Sequence, residues 1–139
     1  MTLQPDERKI MIELSLEKSE ENLNAAKYLL NVFPSKAASA AYYSAFHAMQ
    51  ALFLQDGLVI AKKRGHRSGI ALFNKDFIHT GIFPQEMGRV LGQLERVRNQ
   101  GDYSIQENVT PELAAHFIEQ AAKFNLAIRN HIQKQQQKA

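Results

Sequence analysis

A short segment with chemically useful side chains lies in the second half of the chain, in the sequence LERVRNQGDY, residues 94–103. It contains a cation, a carboxylate and a phenol, namely Arg98, Asp102 and Tyr103. A guanidinium can bind a phosphate through two parallel hydrogen bonds, and a carboxylate or a phenol can exchange a proton. The segment therefore predicts either a structural ion pair or a site that handles a phosphate group.

The spacing of apolar residues distinguishes the two arginines of this segment. Apolar residues precede Arg98 at positions 87, 91 and 94, which places Arg98 on the apolar face of a helix. Arg96 falls on the polar face. Because an unpaired buried charge costs several kcal/mol, Arg98 needs a partner. Gly101 is expected to end the helix and to turn the chain sharply, which would bring Asp102 back towards Arg98.

Two interpretations of Arg98 follow, and spacing alone favours the first. In the first, an Arg98–Asp102 ion pair clamps the end of the helix. In the second, Arg98 also binds a phosphate or a partner's carboxylate, and the adjacent Asn99 is a further candidate binding residue. A basic cluster, KKRGHR at 62–67, is either a solvated loop or a phosphate-attracting rim if it lies near Arg98. Its candidate binding residues are Lys63, Arg64 and Arg67, and His66 is a candidate catalytic residue.

Composition limits the class of protein. The 139 residues, of which 45% are hydrophobic and 22% charged, suit one globular domain, which we place at 1–134, followed by a frayed polar tail at 135–139. The absence of cysteine excludes disulfides, thiolate metal sites and cysteine nucleophiles. No His or carboxylate spacing suggests a metal site, and no glycine-rich phosphate loop occurs. We therefore expect neither a metal nor a cofactor.

Location and charge are less specific. No apolar run approaches the roughly 20 residues of a membrane span, and the N-terminal sequence MTLQPDERKI lacks an apolar signal region. We therefore expect a cytoplasmic protein that does not enter a membrane. The net charge of +3 is too small to identify a nucleic-acid binder, although residues 1–33 hold six acidic and four basic side chains.

Helical periodicity accounts for almost the whole chain, since β-branched residues are few and period-2 alternation is absent. The prediction is an all-α, up-and-down antiparallel bundle of about five helices, at roughly 4–33, 35–57, 66–80, 84–99 and 110–134. The first helix is expected to bury Phe33. The second is apolar on two faces and should lie at the centre. Thr110 is a good N-cap, with Pro111 at the first helical position.

Three segments resemble the small stand-alone HEPN-domain proteins, a name that abbreviates higher eukaryote and prokaryote nucleotide-binding. In order they are AAYYSAFHAMQALFLQDGL, GHRSGIALFNKDFIHTGIFP and RNQGDY. The resemblance covers roughly residues 10–130. It implies a helical bundle that forms a homodimer. It also implies a frequent partner, a minimal nucleotidyltransferase that serves as antitoxin.

The resemblance also bears on catalysis. Many HEPN members are metal-independent ribonucleases in which an arginine, often followed by asparagine, precedes a histidine by a few residues. Arg98 and Asn99 match the start of this motif, but Tyr103 and its neighbours replace the histidine, so the chain resembles an Asp-Tyr branch. Histidine titrates near neutral pH, whereas a tyrosine, with a reference pKa of about 10, is a poor base. His66 is the candidate replacement.

Three functions remain as hypotheses. The first, which we rank highest, is the interaction or toxin-like partner of a minimal nucleotidyltransferase. Its dimer cleft would use Arg98, Asp102 and Tyr103 to bind a phosphate, a nucleotide or RNA, and Tyr103 is a candidate acceptor of a nucleotidyl group. The second is a structural bundle in which Arg98 only clamps helices. The third is a metal-independent RNA endonuclease with His66 or Asp102 as proton acceptor.

Overall fold

The computed structural model describes residues 4–58, 65–103 and 109–138, with side chains for all of these except 65–68 and 100–103. Five α-helices account for most of these residues, and no strand occurs among them. They are α1 (Pro5–Leu29), α2 (Pro34–Asp56), α3 (Gly65–Phe73), α4 (Gln85–Tyr103) and α5 (Pro111–Lys138), and a π-helical segment, Asn74–Ile78, continues α3. The predicted all-α bundle is confirmed. No described helix has both the length and the apolar character that crossing a membrane requires.

The second helix, α2, lies at the centre of the bundle. It contacts α1, α4 and α5, as its two apolar faces predict. Much of its packed surface is alanine, including the fully buried Ala37, Ala41 and Ala45, which allow neighbouring helices to approach closely. Gly57 ends the helix with a left-handed backbone, at a φ of 74°, and its N–H reaches the carbonyls of the preceding turn. A residue with a Cβ would be strained in that conformation.

Hydrogen bonds between side chains establish the helix directions. Asn125 on α5 donates to Ser44 on α2 over 2.8 Å, and Gln136 donates to Gln55 over 3.3 Å. Both pairs are 81 positions apart, so α2 and α5 run parallel. The short connection between α1 and α2 makes these two helices antiparallel. It follows that α1 and α5 are also antiparallel.

A cluster of phenylalanines packs α3 and the start of α4 against the bundle. The rings of Phe73, Phe77 and Phe83 lie 5.7 to 6.1 Å apart between centroids. Phe77 stacks on Phe53 of α2 at 6.0 Å, and Phe124 of α5 approaches Phe73 to 5.4 Å. Since Phe83 lies two residues before the start of α4, that helix begins beside the C-terminal half of α2. Its last turns therefore pack against the N-terminal half of α2.

The start of α5 has the predicted Thr110 cap, and the helix is longer than predicted at its C-terminal end. The Oγ1 atom of Thr110 accepts a hydrogen bond of 3.1 Å from the backbone N–H of Leu113, and Pro111 is the first helical residue. This arrangement satisfies one of the N–H groups that a helix start leaves unpaired. The helix then continues to Lys138 rather than ending near residue 134.

Two predictions about helix ends are wrong. Gly101 does not end α4, which continues through it to Tyr103. A glycine weakens a helix by about 1 kcal/mol relative to alanine but keeps the N–H and C=O that helical hydrogen bonds need. In the first helix, α1 ends at Leu29, earlier than predicted. Phe33 therefore lies outside the apolar stripe and is 58% exposed.

Candidate functional site

Arg98 lies where its spacing predicts. The residues that precede it on the same face of α4, Met87, Leu91 and Leu94, are all buried, and Arg98 itself is half-buried. Arg96 is exposed on the opposite face, also as predicted. The two arginines of the segment therefore differ in environment although only one residue separates them.

Tyr43 of α2 binds Arg98 in two ways. The Nη2 atom of Arg98 donates a part-buried hydrogen bond of 2.7 Å to the Tyr43 hydroxyl. The guanidinium carbon also lies 5.3 Å from the centroid of the Tyr43 ring, which is within the range of a cation–π interaction. Because the partner is 55 positions away in the sequence, these contacts join α4 to α2 and fix the direction of the guanidinium.

The contacts of Arg98 also extend towards solvent. Its Nη1 atom donates a hydrogen bond of 3.2 Å to the Oδ1 atom of the exposed Asn99. Tyr43, Arg98 and Asn99, which we call the arginine site, thus form a series from the interior of the bundle to its surface. A cation held at this boundary is positioned to meet an anion that approaches from solvent.

Tyr42, next to the arginine site, is a packing residue. It is fully buried, and its ring meets that of Tyr43 edge-on at a centroid distance of 5.3 Å. Burial raises the pKa of Tyr42 well above its ordinary value, the Glu95 carboxylate raises it further, and Arg98 opposes the rise. Tyr42 therefore stays protonated near neutral pH and is not a proton acceptor there.

The end of α4 changes the expected geometry around Asp102. Because α4 is helical to Tyr103, Asp102 follows Arg98 by one turn of helix rather than through a sharp bend. Residues four apart share a face of a helix, so the backbone remains compatible with a contact between Arg98 and Asp102. The side chains of Asp102 and Tyr103 lie outside the described residues, and the predicted ion pair stays a prediction.

The predicted basic rim is described only in part. His66 and Arg67 belong to the first turn of α3, but their side chains lie outside the described residues. Lys63 and Arg64 lie outside them entirely. The expectation that this cluster adjoins Arg98 therefore stays a prediction.

Sequence reasoning missed Tyr43 as a site residue. The available signal was its position on the second apolar stripe of α2, where it adds a hydroxyl to a helix that packs on two sides. A buried tyrosine usually finds a hydrogen-bond partner for its hydroxyl. The identity of that partner depends on how α2 and α4 pack, which the local spacing of residues does not determine.

His47, a half-buried histidine of α2, forms a hydrogen bond outside the arginine site. His47 on α2 shares a 3.0 Å hydrogen bond with Gln50 of the same helix, and burial lowers its pKa below the ordinary value of 6.5. Within the described ranges, no group of three or more His, Asp or Glu side chains has an arrangement that could hold a metal ion. The arginine site itself consists of a cation, a phenol and an amide, which are the side chains of Arg98, Tyr43 and Asn99.

Comparisons with known proteins agree on one family. The model of the HEPN domain matches residues 12–131, which include the whole arginine site. A UPF0332 protein of Thermotoga maritima is 31% identical over 129 residues, which cover 92% of this chain and 96% of the relative.

Two proteins of Methanocaldococcus jannaschii are also similar, and each carries the name "Putative toxin". One is 32% identical over 114 residues, covering 81% of this chain and 82% of the relative. The other is 28% identical over 108 residues, covering 77% and 71%, respectively.

Proposed function

The chain belongs to the HEPN-domain family, and from this premise we propose that it is the toxin-like member of a two-protein pair whose partner is a minimal nucleotidyltransferase. Its arginine site binds a phosphate group of a nucleotide or of RNA. In a homodimer, two such sites form one cleft, to which Asp102 and Tyr103 contribute. The similarity to the two Methanocaldococcus jannaschii proteins supports the toxin-like part of this proposal.

The observation that carries the proposal is the oriented guanidinium of Arg98. A guanidinium matches the geometry of a phosphate better than an ammonium does, because its donors form a planar fork. Tyr43 holds this fork through a hydrogen bond and a ring contact, so less side-chain freedom is lost when an anion binds. The alternative is that Arg98 has only a structural role, as a clamp between α2 and α4. This role would use the same contacts, so the experiments below measure stability and binding separately.

Binding is favoured over cleavage because the arginine site, defined as Tyr43, Arg98 and Asn99, contains neither a histidine nor a carboxylate. Metal-independent RNA cleavage needs a group that accepts the 2′-hydroxyl proton near neutral pH. Tyr42 remains protonated there, and His47 is occupied by Gln50. RNA endonuclease activity, with His66 or Asp102 as the base, is therefore the alternative that the experiment must detect.

The first test compares the two arginines of α4. Binding of ATP and of a labelled single-stranded RNA is measured for the wild type, Arg98→Lys, Arg98→Ala and the control Arg96→Ala. Loss of a charge-assisted contact should weaken binding by at least about tenfold in Arg98→Ala, with a partial loss in Arg98→Lys. Arg96→Ala should bind within about twofold of the wild type, since rim charges contribute little.

Other outcomes would select the competing functions. Equal losses in Arg98→Ala and Arg96→Ala, or no binding at high protein concentration, would contradict a specific arginine site. A markedly lower melting temperature in Arg98→Ala with unchanged binding would identify a structural clamp. Cleavage of a structured RNA that survives EDTA and disappears in Arg98→Ala would identify a nuclease.

The proposed partner needs a separate measurement. Co-expression with a small nucleotidyltransferase from an adjacent gene should yield a complex that co-purifies. The intact mass of the chain from that complex tests Tyr103 as an acceptor of a nucleotidyl group. An unchanged mass would contradict the modification, and failure to co-purify would contradict the partnership.

A further inference from the structure

A second candidate binding region lies on another part of the surface, between α1 and α5. It is a shallow groove of about 400 Å³, lined by Glu13, Leu16, Glu17, Glu20 and Arg129. Its lining is mostly apolar, because Leu16 and the methylene groups of the longer side chains face it. Among the described residues α1 makes no contact with α4, so the groove is separate from the arginine site.

The charge of the groove is negative. Arg129 is the one cation among the residues that line it, and Arg129 is already paired with Glu20. Glu13 and Glu17, one helical turn apart on α1, are exposed at the rim. The surplus of acidic residues in 1–33 contrasts with the positive net charge of the whole chain. This surface therefore repels phosphate and complements lysine and arginine side chains.

Exposed apolar side chains lie at both ends of the groove. Ile10, 56% exposed, precedes Glu13 by about one turn of α1, and Leu126, 57% exposed, precedes Arg129 by about one turn of α5. The helices α1 and α5 are antiparallel, and Arg129 meets Glu20. Ile10 and Leu126 therefore lie beyond opposite ends of the groove. The line between them is roughly 20 Å long, or about four turns of helix.

We propose that this groove binds a basic amphipathic helix of a partner protein. Apolar residues of that helix, spaced as one helical face, cover Leu16 and reach Ile10 and Leu126, while its lysines or arginines meet Glu13 and Glu17. A second copy of this chain fits poorly, since a contact between two such grooves would bring together two surfaces that each carry a surplus of glutamates. The proposal does not depend on the function of Arg98.

The test is a selection from a display library of random 16-residue peptides against the purified, immobilised full chain. Selected peptides should combine lysine or arginine with apolar residues at helical spacing. The most enriched peptide is then synthesised, and its affinity is measured by fluorescence anisotropy. The double variant Glu13→Lys/Glu17→Lys should bind it at least about tenfold more weakly, because two attractive pairs become repulsive.

The control variant carries the same change of charge elsewhere. Glu86→Lys/Glu112→Lys reverses two exposed glutamates outside the groove and should bind within about twofold of the wild type, since distant exposed charges are screened. Arg98→Ala should also bind the peptide normally, which separates this proposal from that of the arginine site. Three results would overturn it: no enrichment, equal losses in both double variants, or self-association abolished by the groove variant alone.

Discussion

The contact between Arg98 and Tyr43 can be measured with a double-mutant cycle. Tyr43→Phe removes the hydroxyl that accepts the 2.7 Å hydrogen bond from Arg98 and keeps the aromatic ring. Arg98→Met removes the guanidinium and keeps most of the apolar side chain. Each single variant also disturbs other contacts, including that of Arg98 with Asn99, but these contributions cancel in the coupling energy of the pair.

The expected coupling energy follows from the type of bond and its environment. A hydrogen bond to a charged group contributes about 1.5 to 3 kcal/mol when it is shielded from water. The Arg98–Tyr43 bond is only part-buried, which places its contribution near or below the lower end. The cation–π contact largely survives in Tyr43→Phe, since phenylalanine retains the ring. We therefore expect a coupling energy of about 1 kcal/mol and a similar destabilisation by Tyr43→Phe alone.

The assay is urea unfolding of the four proteins at 25 °C, followed by circular dichroism. Tyr28→Phe is the matched control, because Tyr28 is 89% exposed and its hydroxyl should not affect the free energy of unfolding. A coupling energy within about 0.3 kcal/mol of zero would mean that the two side chains act independently. That result would refute the claim that Tyr43 orients Arg98, and with it the reason to treat Tyr43 as part of the site.

Two further predictions concern packing and pH. A Cβ at Gly88 would overlap the Oδ1 atom of Asn74 and crowd the Cγ1 atom of Ile78, so Gly88→Ala must displace the Asn74 side chain and should give no net stabilisation, despite the higher helix propensity of alanine. Gly92→Ala meets nothing within 4 Å and should stabilise it by up to about 1 kcal/mol; equal urea midpoints would contradict this difference. Because burial lowers the pKa of His47 in the folded state, its contribution to stability is complete above pH 6.5 and is lost as the pH falls through the lowered pKa. His47→Gln should lose less stability than the wild type between pH 8 and pH 5, and identical losses would contradict a buried neutral histidine.

Much of the fold follows from local rules that act within a few residues. The predicted second and third helices, at roughly 35–57 and 66–80, end where Gly57 and Gly81 adopt left-handed backbones, and Thr110 forms the predicted cap. Gly101 shows the limit of such rules, since the same residue type ends one helix and continues in another. The difference depends on whether the surrounding structure can complete the helical hydrogen bonds, which one residue does not determine.

The π-helical segment shows a second limit. Periodicity predicts one helix at roughly 66–80, but Asn74–Ile78 is wound as a π-helix, with the His79 N–H bonded to the Asn74 carbonyl at 2.9 Å. Phe73 and Phe77 still reach the core, where they pack with phenylalanines from three other parts of the chain. Such long-range packing of rings selects local geometry in a way that helix propensity does not encode.

For the arginine site, the sequence predicted that Arg98 needs a partner and offered Asp102, but it did not identify Tyr43. A charged arginine on the apolar face of a helix departs from the usual pattern of a buried apolar face, and such departures are expected at functional positions. If Arg98 only joined α2 to α4, apolar residues of similar size would serve as well, since replacing a buried polar pair by apolar residues is often neutral or stabilising. The Tyr43→Phe/Arg98→Met protein is that replacement. A double variant that is nearly as stable as the wild type but no longer binds the phosphate ligand would show that the arginine serves binding rather than folding.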